Sequence, residues 1–138
     1  MKFPVLILAL GTLAVPACGL CDEIGGTPPE QWLECFAATK IHQDTLAGSG
    51  HASMAVILNA GDPRIKYQRL ARHWLTGFKK MKTDDAAGEM VKAPAEMKKN
   101  KSLGDIEVLA RQCTVNLPNL ADPMFYQKYP FLGAPDSD

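Results

Sequence analysis

The chain has 138 residues, with 15 basic and 15 acidic side chains and a 46% apolar share. That length allows a single domain with one real core. A charge balance so even gives no global attraction toward nucleic acid or an anionic membrane.

The first 17 residues read as an export signal. Lys2 supplies a positive start. Val5 to Val15 is an apolar run broken only by Gly11 and Thr12, and Val15-Pro16-Ala17 sets small residues where a signal peptidase inspects the chain. The run falls short of the ~20 apolar residues that span a bilayer. The expected product begins at Cys18 and carries a net charge of −1. Val15-Pro16-Ala17-Cys18 also resembles a bacterial lipoprotein box, in which the cysteine is lipidated. Pro16 and Val15 depart from the usual residues of such a box. Attachment to a membrane is expected only if Cys18 carries that lipid.

Cys18 to Gly26 reads as a loop. Thr27-Pro28-Pro29-Glu30 has the form of a capping box, with Thr27 as cap, Pro28 in the first turn and Glu30 reaching back. The helix it opens should run from about Pro28 to Ala47, with Trp32, Leu33, Phe36 and Lys40 along one stripe and Ala37 and Ile41 widening it. Gly48-Ser49-Gly50 ends it. The apolar segment 52–60 follows, and helix is the better reading because no other segment offers a strand partner. Asp62-Pro63 is the next cap. From Pro63 to about Lys82 the apolar residues Tyr67, Leu70, Ala71, Trp74, Leu75, Phe78 and Met81 keep helical spacing, and Arg64, Lys66, Arg69, Arg72, Lys79, Lys80 and Lys82 fill the other face. Thr83-Asp84-Asp85 restarts a helix that Pro94 should kink or stop. Ser102 caps a last helix whose stripe is Leu103, Ile106, Leu109, Ala110 and Cys113. Beyond Asn116, four prolines alternate with Phe125, Tyr126, Tyr129 and Phe131, and this tail is expected to be extended across the helices. The expected architecture is an all-α bundle of about four helices over residues 18–116, carrying the tail 117–138.

Cys18, Cys21, Cys35 and Cys113 form an even set behind an export signal, which points to disulfides. A Cys35–Cys113 bond would tie the first helix to the last and, on chain entropy, contribute roughly 4 kcal/mol. Sequence leaves three connectivities open. Cys18-Gly19-Leu20-Cys21 is a C-x-x-C motif, so a thiol-redox role or a zinc site with Cys35 and His42 is the rival chemistry. Asp22 stands where haem attachment would need histidine. The order of Trp32 and Cys35 early and Cys113 late resembles small helical periplasmic chaperones of acid stress, over two short patches without a specific motif; no residue role is carried over.

No hydrolase, phosphate-loop or zinc-protease motif is present, and His42, His51 and His73 are scattered. No cofactor is expected. Charge is patterned, however. Arg64–Lys101 hold eleven basic and four acidic residues, against one and six in Cys18–Pro63 and two and five in Ser102–Asp138. The basic middle either pairs with the acidic ends or faces an anionic partner, a protein or a charged surface. Nucleic acid fits poorly with export. The expectation is a periplasmic or secreted binding protein without catalytic activity. Intact mass of the natively produced protein checks the address: it should begin at Cys18 without a lipid and rise by two hydrogens per disulfide on reduction.

Overall fold

The computed structural model describes residues 26–48 and 61–133. The leader, Cys18, Cys21, segment 52–60 and the last five residues lie outside them. The regular elements are all helical: α1 (Trp32–Gly48), α2 (Pro63–His73), α3 (Thr83–Asn100), α4 (Leu103–Val115) and the short α5 (Pro123–Lys128). A 3-10 turn, Pro29–Gln31, leads into α1, a π-helical turn, Trp74–Phe78, prolongs α2, and a second 3-10 turn, Pro130–Leu132, follows α5. This is the small all-α bundle that the periodicity predicts.

Helix α1 is the axis of the bundle and packs against α2, α3 and α4. Its sequence suggests one stripe, but its burial runs almost around it. Trp32, Cys35 and Phe36 join the core shared with Tyr67, Leu70, Leu75, Met90 and Phe125. Ala37, Ala38 and Ile41 face a second core made with Met97, Ile106 and Ala110. A helix buried on more than one side shows no clean amphipathic stripe. Paired alanines let the neighbouring backbones approach on that side.

The local stops and starts follow the sequence closely. Asp62 caps α2 by accepting from the Arg64 N–H at 3.0 Å, with Pro63 in the first turn. Ser102 caps α4 by accepting from the Asp105 N–H at 3.1 Å. Capping of this kind contributes about 1 kcal/mol. Three expectations need correction. Pro94 does not stop α3, which continues to Asn100; the proline withholds one N–H from the ladder, but Met90 before it and Met97 after it are both held in the core. Thr27 does not cap α1, because its hydroxyl is spent elsewhere, and Pro28 takes the position before the 3-10 turn. The C-terminal segment is only partly extended: Asp122 caps α5 through the Met124 N–H at 3.0 Å, and a second turn follows.

That segment packs as expected of its aromatics. Trp32, fully buried, sits among Trp74, Phe125, Tyr129 and Phe131, with ring centroids 5.5 to 6.5 Å away. Its indole N–H donates to the Thr27 carbonyl at 2.9 Å, so the ring is buried without an orphaned donor.

Cys35 of α1 is disulfide-bonded to Cys113 of α4, with Cα atoms 5.6 Å apart and 78 residues between them in sequence. Closing so long a loop removes much of the unfolded chain's freedom, worth roughly 4 kcal/mol in the chain-entropy picture. Reduction of this bond should therefore lower unfolding stability by about that amount, read from denaturant melts with and without reductant.

Candidate functional site

The cysteine chemistry resolves first. Cys35 is bonded, so it is no longer available to a zinc set with His42. Among the described residues no three His, Cys, Asp or Glu side chains converge as a metal site requires. Cys18 and Cys21, like Ser49 and His51, lie outside the described residues.

Around the disulfide lies a buried polar node. Helix α4 ends with carbonyls that have no partner within the helix. Tyr67 donates its hydroxyl to the Cys113 carbonyl, and the Thr27 N–H reaches the Asn116 carbonyl at 2.9 Å. The Thr27 hydroxyl lies 2.8 Å from that same carbonyl and 3.0 Å from the Tyr67 oxygen. Two hydroxyl protons face three contacts. With the Asn116 carbonyl already served by the Thr27 N–H, the Thr27 proton is free to turn to Tyr67. Gly26 permits the approach: its φ is +67°, and a Cβ there would meet the Asn116 oxygen at 2.4 Å. Burial raises the Tyr67 pKa to about 12, and the Thr27 hydrogen bond opposes it. These bonds tie the approach to α1, α2 and the end of α4 together, and Glu34 lines the same small pocket as Thr27, Cys113 and Asn116.

The seven basic candidates do not form one helical face. Arg64 is engaged at the start of α2: its Nε donates to Gln43 Oε1 at 3.1 Å, its Nη2 lies 3.6 Å from Asp62, and Gln43 in turn donates to Asp62. Lys66 folds back over Gly61 and Arg69 is half-buried. Arg72, Lys79, Lys80 and Lys82 are exposed. The salt bridges among the described residues use Lys40, Arg64, Lys92 and Arg111, and none of those four. His73 adds little charge beside them, because burial, Arg72 and Arg69 hold its pKa below the usual value.

Lys79, Lys80 and Lys82 lie beyond the helix altogether. The π-helical turn widens the last coil of α2. The Lys79 N–H returns to the Trp74 carbonyl at 3.0 Å and the Met81 N–H to the Leu75 carbonyl at 2.9 Å. Lys80 stands between them with φ +60°, the left-handed position that usually falls to glycine. Met81 tucks back against the core while the three lysines project. Phe78, placed on the apolar stripe by its spacing, is 57% exposed and stacks on Trp74 with centroids 4.4 Å apart. Gly77 lets this turn close on the C-terminal segment: a Cβ there would lie 3.1 Å from the Phe131 carbonyl oxygen. Sequence reasoning placed these residues on a regular helix. The only local cue to the change is Gly77 in the final turn.

One further concavity went unforeseen. It is a slot of about 340 Å³ between α1, α2 and α3, lined mainly by apolar side chains with Lys40 and Arg72 at its edge. Comparison of the chain with family models, with curated proteins and with solved structures finds no match.

The polar node makes a sharp prediction. Tyr67→Phe leaves the Cys113 carbonyl unserved and should cost about 1–3 kcal/mol of stability. A raised folded-state pKa means that Tyr67 contributes in full below the ordinary tyrosine pKa of 10.0 and loses its contribution as pH climbs toward about 12. Ultraviolet titration should show a late-ionising tyrosine that Tyr67→Phe removes, together with the stability loss over that window.

Proposed function

We propose that this chain is an exported, non-catalytic binding protein that engages an anionic partner through the turn after α2. The observation that carries this reading is the display of Lys79, Lys80 and Lys82, exposed and outside the salt bridges formed among the described residues. Lys80 adds support. A left-handed lysine costs about 1 kcal/mol that glycine would not, and conformational cost is tolerated most readily where a side chain has work to do. Phe78 beside the lysines offers an apolar contact within the same patch. Export is supported by the residues of the leader and by a disulfide, a bond that persists in oxidising compartments.

The reading replaces a basic helical face by a cationic turn, so the test is positional. Triple reversal of Lys79, Lys80 and Lys82 to Glu should weaken binding to heparin or to anionic vesicles by roughly a hundredfold, at about 1 kcal/mol per lysine near an anionic surface. The matched reversal of Lys98, Lys99 and Lys101, at the other end of α3, should have little effect. Equal losses in both variants would show a net-charge effect and sink the proposal, as would failure of the unaltered protein to bind either probe.

A further inference from the structure

We infer that the slot between α1, α2 and α3 binds a single-chain amphiphile with an anionic head, of the class of a medium-chain carboxylate. This goes beyond the cationic turn and does not depend on it. The slot's volume, about 340 Å³, lies at the lower end of the range of ligand pockets, ~300–1,000 Å³. Its shape follows from which residues line it. Helix α3 contributes from Thr83 through Ala87 and Val91 to Pro94, one line along three turns. The eleven steps from Thr83 to Pro94 extend about 16 Å at 1.5 Å per residue. Phe36 and Lys40 of α1 and Gln68 and Arg72 of α2 are each four apart, so those helices also present a single line. The lining thus runs furthest along α3, with one turn each of α1 and α2 opposite it, a trough that suits a chain better than a compact ring system.

The chemistry of the trough points the same way. Phe36 and Met90, both buried, line it together with Val91, which is 77% exposed. Ala87 keeps the trough open where a longer side chain would fill it. Two cations line it and no carboxylate does. Lys40 is held by Asp44 at 3.0 Å, while Arg72 takes part in no salt bridge among the described residues. An anionic head on Arg72 with an alkyl tail along α3 satisfies both halves of the site.

The test is calorimetric titration of the intact protein with decanoate below its micelle concentration, with decanol as the neutral control. Saturable binding of decanoate at one site, at least tenfold tighter than decanol, is expected. Ala87→Trp fills the trough and should abolish it, and Arg72→Glu should weaken it tenfold or more. Val91→Asp, at an exposed position that folding should tolerate, is the second probe of the same wall and should also prevent binding. Reversal of Lys79, Lys80 and Lys82 should leave decanoate binding unchanged, which separates this site from the cationic turn. The inference is overturned if decanol binds as tightly, if binding survives both Ala87→Trp and Val91→Asp, or if no uptake is seen. It is also overturned if the protein instead forms a dimer that Ala87→Trp disrupts, which would assign the trough to a second copy.

Discussion

The covalent bond between α1 and α4 and the hydrogen bonds gathered around it hold the rest of the molecule in place. Cys113 serves twice. Its sulfur is tied to Cys35, and its carbonyl accepts from Tyr67 of α2. Three helices therefore meet at one residue. Thr27 adds the N-terminal approach to α1 by bonding to Asn116, three positions on from the same cysteine. The end of a helix is ordinarily a place where carbonyls look to water. Here Cys113 is buried, and neighbouring segments supply donors to its carbonyl and to that of Asn116. No buried side-chain polar atom among the described residues lacks a partner.

From that junction the two ends of the bundle diverge in character. Around Trp32 the packing is aromatic, and the C-terminal segment is held down by ring contacts rather than by regular hydrogen-bonded structure. Around Ile41 it is made of alanines and single aliphatic side chains. The slot opens where α1 turns from one regime to the other, with Phe36 at its base and α3 contributing small residues above. The cationic turn lies where α2 gives way to α3. A cation is placed at each: Arg72 at the slot, the lysines at the turn.

Much of this was legible from the residues in order. Asp62-Pro63 and Ser102 announce helix starts because a cap is a local bond within three residues. The stripe Ile106, Ala110, Cys113 announces a buried face because helical spacing is fixed. The Cys35–Cys113 bond is one of the three connectivities that the sequence leaves open. What could not be read depends on distant partners. Thr27 has the residue type and spacing of a cap, but its hydroxyl lies against Tyr67 and the Asn116 carbonyl, 40 and 89 residues away, instead of the first turn of α1. Pro94 looks like a helix stop until the packing of Met90 and Met97 is known. The π-helical turn is set by how Trp74 and Gly77 meet Phe131, so Phe78 and the lysines leave the face that a regular helix would give them. The slot is a space among three helices and has no pattern of its own.

The ring closed by Cys35 and Cys113 has the lysine turn on its circumference. Lys79, Lys80 and Lys82 are exposed basic residues between two helices, the kind of site a trypsin-like protease cuts. A break there opens the ring without releasing either piece, since α1 and α2 on one side stay linked to α3 and α4 on the other through sulfur. The lysine turn can thus be nicked while the body of the protein remains one covalent object. Loss of that turn and loss of the molecule become separate events, and only a reducing environment would merge them.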